Sequence, residues 1–157
     1  MSVDDRLREL GITLPDPFPP AGNYVSSVQT GDLLFVGGHG PVDGTTMILG
    51  RVGTDLTLEQ GQAAARMTAL SLLATMRADL GSLDRVEQIV KVFGMVNVGG
   101  SFDRMPAVID GCSDLLVEVF GEKGRHTRSA VGLAALPFGI AVEIELVARI
   151  SKSSTPD

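Results

Sequence analysis

A chain of 157 residues with 13 basic and 19 acidic side chains, net charge −6, is long enough for one domain with its own core and too acidic for general nucleic-acid binding, which runs on phosphate neutralisation. Hydrophobic residues at 44% and charged residues at 20% exclude a disordered chain. Aromatics at 4% and the absence of Trp leave the core to Leu, Val, Ile, Ala and Met. A single cysteine, Cys112, excludes an internal disulfide, and the isolated His39 and His126 offer no metal-ligand spacing, so no metal or organic cofactor is expected. The N-terminus lacks the apolar core of a signal peptide and no run is long enough to span a membrane; the expectation is a soluble, cytoplasmic protein.

In chain order, Ser2 and Asp5 form a capping box for a short helix that Gly11 stops. Leu14 to Pro20 holds four prolines and predicts an extended path hugging the surface. Residues 1–22 read as a helix and proline-rich extension, 23–150 as one domain, and 151–157 as a frayed tail. Tyr24–Gln29 and Leu33–Val36 flank a Gly31-Asp32 turn and predict a β-hairpin. Gly37-Gly38-His39-Gly40-Pro41 follows, read as a turn that either needs unusual backbone angles or admits close approach of another group. His39 and His126 are expected at turns or on the surface.

Thr57 with Gln60 is a second capping box, opening a helix to about Leu80 whose core face holds Ala65, Ala69, Leu72, Leu73 and Met76. Leu83–Ile89 is read as a connector. Val90–Val98 is the clearest strand, apolar on both faces and therefore predicted central, with Val90, Val92, Gly94, Val96 and Val98 on one face. A helix from about Asp103 to Phe120 follows, burying Val108, Ile109, Cys112, Leu115, Leu116 and Val119. Together these predict an α+β layer, a mixed sheet with two main helices on one face.

The end of the chain carries the chemistry. Thr127–Val131 reads as a strand with Arg128, Leu136-Pro137-Phe138-Gly139 as a turn, and Val142–Ala148 as a strand with Glu143. A fork-shaped cation and a carboxylate on paired strands suit a small carboxylate ligand: the Arg grips it with two hydrogen bonds and the Glu holds a water. The alternative is that Arg128 pairs with Glu143 or another acid.

Four stretches carry a family resemblance: Tyr24-Val25; Leu34 to Pro41; Val90 to Asn97 with Ser101-Phe102; and Thr127-Arg128-Ser129-Ala130-Val131 with Leu136-Pro137 and Val142-Glu143-Ile144-Glu145. In these the chain resembles the YjgF family, also called the Rid or reactive-intermediate deaminase family and once labelled endoribonuclease L-PSP. The resemblance implies a chorismate-mutase-like fold and a homotrimer with clefts at subunit interfaces. It implies hydrolytic deamination of enamine or imine derivatives of amino acids to 2-oxo acids and ammonia. In that reading Arg128 holds the substrate carboxylate, Glu143 orients the water, and Tyr24, Gly38 and His39 line the site. Two other functions go with the same resemblance: a non-catalytic binder of small carboxylates in the same cleft, and a ribonuclease or translation inhibitor, against which the acidic balance weighs. The chain departs from the family pattern at Ala130, where Cys is usual, and at Gly37 and His39, where Ser and Gln are common. Those changes leave the substrate open.

Overall fold

The computed structural model describes residues 1–152 of the 157, so the predicted tail lies outside the described residues beyond Lys152. Both predicted capping boxes form. Ser2 Oγ accepts from the Asp5 amide at 3.0 Å and Asp5 returns the bond to the Ser2 amide, starting α1 (Val3–Glu9). Thr57 and Gln60 do the same for α2 (Leu58–Leu80), which ends at Gly81 in the left-handed region. The third helix, α3, spans Met105–Phe120 with Pro106 in its first turn.

The described residues hold seven strands: β1 (Ser27–Thr30), β2 (Leu33–His39), β3 (Val42–Asp43), β4 (Thr46–Met47), β5 (Val86–Asn97), β6 (Thr127–Leu133) and β7 (Val142–Ile150). Five of them form one mixed sheet in the order β1-β2-β7-β5-β6, and β3 and β4 make a separate small hairpin. Among the described strand pairs of this sheet, only β5 and β6 run parallel.

Four expectations need correction. The strands of Arg128 and Glu143 do not pair, because β5 is inserted between β6 and β7. The centre of the sheet is β7 rather than β5, although β5 is still interior. The connector is shorter than read: a single 3-10 turn, Leu83–Arg85, leads straight into β5 at Val86. A register slip between Ile89 and Lys91 then turns Ile89 into the core and Val90 out to solvent, reversing the face predicted for Val90.

Helices α2 and α3 lie side by side on one sheet face. Between them and the sheet are Ala65, Ala69, Leu72, Leu73 and Met76 from α2, Val108, Ile109, Cys112 and Leu115 from α3, and Leu34, Val36, Val92, Val96, Ile144 and Leu146 from the strands. The fit is tight at Gly94, where a Cβ would stand 2.6 Å from Ile109 Cγ1, so α3 rests on the backbone of β5. The first helix docks on this layer through the buried Leu7, with Arg6 Nε donating to the Glu118 carbonyl at 2.9 Å. The opposite sheet face carries Val28, Phe35, Phe93, Met95, Val131 and Val147, all partly or fully exposed, and none of the described helices covers it. None of the described helices is long and apolar enough to cross a membrane.

Candidate functional site

The Gly37-Gly38-His39 stretch is not a turn but the end of β2, with a bulge in it. From Val36 to His39 the strand advances three residues while its partner β7 advances two, from Leu146 to Ile144. Neither Gly37 nor Gly38 has a positive φ, so backbone freedom is not why glycine is there. Close approach is: a Cβ on Gly38 would overlap Glu143 Oε1 and lie 3.0 Å from Glu143 Cδ.

The bulge also turns His39 inward, correcting its expected surface position. The side chain is buried at 9% exposure. Its Nδ1 bonds the Gly37 carbonyl at 2.7 Å, and its Nε2 bonds Thr75 Oγ1 on α2 at 2.8 Å. A carbonyl only accepts, so Nδ1 carries the proton and the neutral ring receives the Thr75 hydroxyl. Burial holds the His39 pKa below its ordinary 6.5, opposed by the Gly37 bond. With the folded pKa lowered, the unfolded chain takes up the proton first on acidification. The His39 contribution to stability is therefore complete above pH 6.5 and declines as pH falls below it. The thermal midpoint of the wild type is expected to drop more between pH 7.5 and 5.5 than that of His39→Gln; equal drops would refute the assignment.

Beside the bulge lies a cavity of about 250 Å³, into which Tyr24, Gly38, His39 and Glu143 all open. Tyr24 is fixed by its hydroxyl, which accepts from the Ala21 amide at 3.0 Å. The Glu143 carboxylate is half-buried and bonds to no other described residue. Burial, and secondarily the charge of Glu145, raises its pKa above the ordinary 4.5. A desolvated, unpaired carboxylate is a strong acceptor for a water or a proton.

Arg128 is not in this cavity. In β7 the side chains alternate, with Val142, Ile144 and Leu146 buried toward the helices and Glu143 on the opposite face. Arg128 on β6 points toward the helices instead: its Nη1 donates to Asp110 Oδ1 at 2.7 Å and to Ser113 Oγ at 3.1 Å, both on α3. The two functional strands are two sheet spacings apart, about 10 Å. The expected Arg–Glu site therefore cannot form within one chain.

The Arg128 side chain is 22% exposed, and its Nε and Nη2 bond to no described residue. Asp110 and Ser113 thus hold one corner of the guanidinium and leave the edge that grips a carboxylate side-on. Sequence reading missed both residues. The signal was there: two polar positions three apart on α3, flanking the apolar Cys112. Ser113 Oγ also bonds His126 Nε2 at 3.0 Å, and His126 Nδ1 donates to the Gly124 carbonyl at 2.7 Å. His126 is half-buried in this network rather than a surface residue, and burial, with the Arg128 charge adding, lowers its pKa. Cys112 is fully buried, as read, its thiol pushed up to about 12 by burial. Ala130 pairs with Gly94 across β5 and β6 and packs, partly buried, against the core layer. Among the described residues, no group of three or more His, Cys, Asp or Glu side chains is arranged to hold a metal ion.

A mixed sheet in this order, with two helices on one face, defines a chorismate-mutase-like α+β protein. The chain belongs to the YjgF family: the family model described as "YjgF/chorismate mutase-like, putative endoribonuclease" matches residues 4–150. It is 47% identical over 151 residues to Protein TCP17 of Trypanosoma cruzi, a match spanning 95% of this chain and 94% of that protein. The crystal structure of Atu1372 from Agrobacterium tumefaciens, a protein of unknown function, is similar at a TM-score of 0.88 and 38% identity, covering 95% of this chain and 92% of that one. TdcF of E. coli, solved with bound serine, is similar at a TM-score of 0.60 and 25% identity, over 88% of this chain and 96% of that one.

Proposed function

We propose that this protein hydrolyses reactive imines and enamines of amino acids to 2-oxo acids and ammonia, at a site completed by a second copy of the chain. The observation that carries the reading is Glu143: an unpaired carboxylate, raised in pKa, inside a small cavity with Tyr24 and the Gly38 backbone. Arg128 supplies the complementary half, a guanidinium held at Nη1 with its Nε and Nη2 donors unbonded. Because these halves sit on opposite faces of one sheet, they serve one substrate only if Arg128 of one copy meets Glu143 of the next. An interface joining different patches of identical chains is heterologous, and it makes a closed ring when the rotation between copies closes. The family resemblance implies a trimeric ring, and the exposed apolar side chains Phe35, Phe93 and Val147 support the opposite sheet face as the surface such a ring would bury.

The chemistry needs no cofactor. Arg128 grips the carboxylate of a 2-imino acid side-on and presents C2 to a water bonded to Glu143. As the water oxygen bonds to C2, Glu143 takes a water proton and passes it to nitrogen, where the C=N π electrons have moved, which leaves Glu143 ionised again. The C–N bond of the resulting carbinolamine then breaks, ammonia leaves, and the C–O bond becomes the carbonyl of the 2-oxo acid. Water enters and ammonia departs, with no net redox change.

Glu143 must be ionised to act, so kcat is expected to rise with pH through its elevated pKa and level off above it. Glu143→Gln is expected to lose that limb and to lower kcat on the order of a hundredfold. The check is the rate at which 2-iminopropanoate, generated in the cuvette by a lyase acting on serine, disappears with and without the protein. No acceleration at any pH would sink the deaminase reading.

The serine held by TdcF favours a second reading, a binder of intact amino acids or other small carboxylates in the same cleft. Turnover of the imine separates the two. Endoribonuclease activity, the description attached to the family, sits poorly with a chain of net charge −6 and a cavity of about 250 Å³ with an acid in it.

A further inference from the structure

The cavity beside Glu143 is built mostly of apolar groups that the deaminase chemistry does not use. Ile140 and Met47 line it, and so do two exposed phenylalanines, Phe18 and Phe138. Phe18 belongs to the proline-rich lead-in, where Pro17, Pro19 and Pro20 remove donors and keep the strand extended. That segment therefore reaches the cavity as a stiff wall.

Phe138 is the more telling residue. It has φ 60 and ψ 7, the only non-glycine among the described residues with a positive φ. An aromatic residue is strained in the left-handed region, where glycine or asparagine is the ordinary choice. The side chain is 73% exposed, so burial within this chain does not offset the strain. Strain kept by a bulky side chain at a cavity rim points to a role for that side chain in ligand contact.

We propose that the natural substrate carries a bulky apolar side chain, the imine of a branched-chain or aromatic amino acid, seated in this cavity between Phe18 and Phe138. This rests on the deaminase reading for the reaction, but not for the fit. The cavity volume of about 250 Å³ exceeds the roughly 150 Å³ apolar cavity that accommodates benzene in an engineered lysozyme. A phenyl or isobutyl group has space here, and a methyl group would leave the apolar walls unfilled. Burying the extra carbons favours the larger substrate at least tenfold.

Two measurements test it. In the first, an L-amino-acid oxidase generates imines from phenylalanine, leucine and alanine, and kcat/KM is compared across them. The phenylalanine- and leucine-derived imines are expected to exceed the alanine-derived one at least tenfold, and Phe18→Ala and Phe138→Gly are each expected to narrow that ratio severalfold. Phe138→Gly relieves the positive φ, so poor folding does not account for its effect. Equal rates would overturn the substrate class and leave the deaminase reading standing. In the second, calorimetric titration compares phenylpyruvate with pyruvate, which needs no turnover. At least tenfold tighter phenylpyruvate binding, weakened by Phe18→Ala, supports the inference even if no imine is hydrolysed; pyruvate binding as tightly overturns it.

Discussion

Arg128→Ala is expected to lose kcat/KM for 2-imino acids on the order of a hundredfold or more while its thermal midpoint moves little. The asymmetry follows from where the side chain sits. Its ion pair with Asp110 spans residues 22% and 50% exposed, and exposed pairs of this kind contribute at most about 1 kcal/mol. The substrate carboxylate, by contrast, loses charge-assisted bonds from Nε and Nη2 that nothing nearby replaces. Arg128→Lys is expected to restore little, since an ammonium cannot present the planar fork. Steady-state kinetics beside a melting curve reads both sides. If Arg128 were there only to pair with Asp110, then Asp110→Ala would match Arg128→Ala in both assays, and neither would lose activity.

Gly111→Ala is the largest expected change in stability, and its direction opposes helix propensity. Alanine in a helix interior is favoured over glycine by about 1 kcal/mol. Gly111, however, lies in α3 where it crosses α2, and a Cβ there would overlap the Gln62 carbonyl oxygen and stand 2.9 Å from its carbonyl carbon. The obstacle is backbone, so no rotamer change relieves it. The two helices must separate, and Gln62, whose Nε2 donates to the Ala107 carbonyl at 2.8 Å, loses its seat on α3. Overpacking of this kind costs about 3 kcal/mol, which for a domain of this size lowers the thermal midpoint by roughly 10 °C. A midpoint equal to or above that of the wild type would show that the helices do not pack this closely.

How much of this was legible in the sequence depended on the range of the interaction. Capping boxes and helical periodicity are local, and the boundaries of α2 and the buried face of α3 came out as read. The family motif brought Tyr24, Gly38 and Glu143 to one cavity. Strand order was not legible, because the hydrophobic alternation of β6 and β7 is the same whether they pair with each other or with β5. That one non-local fact set Arg128 and Glu143 two strands apart, and the register of each against β5 set them on opposite faces. The register slip at Ile89–Lys91 and the bulge at Gly37-Gly38 were hidden for the same reason: each depends on the partner strand. His39 looked like a turn residue, since its partner Thr75 is 36 positions away on α2. Gly111 gave no signal at all, because what makes it necessary is the backbone of another helix.

Subunit complementation tests most directly whether one substrate is held between Arg128 of one copy and Glu143 of another. Arg128→Ala and Glu143→Gln chains, each inactive alone, are co-expressed with different tags, and the mixed assemblies are purified and assayed on a 2-imino acid. In a trimeric ring that holds both variants, one of the three interfaces joins an intact Arg128 to an intact Glu143, so about a third of wild-type activity should return. Mixed assemblies as inactive as the separate variants would contradict a site shared between copies.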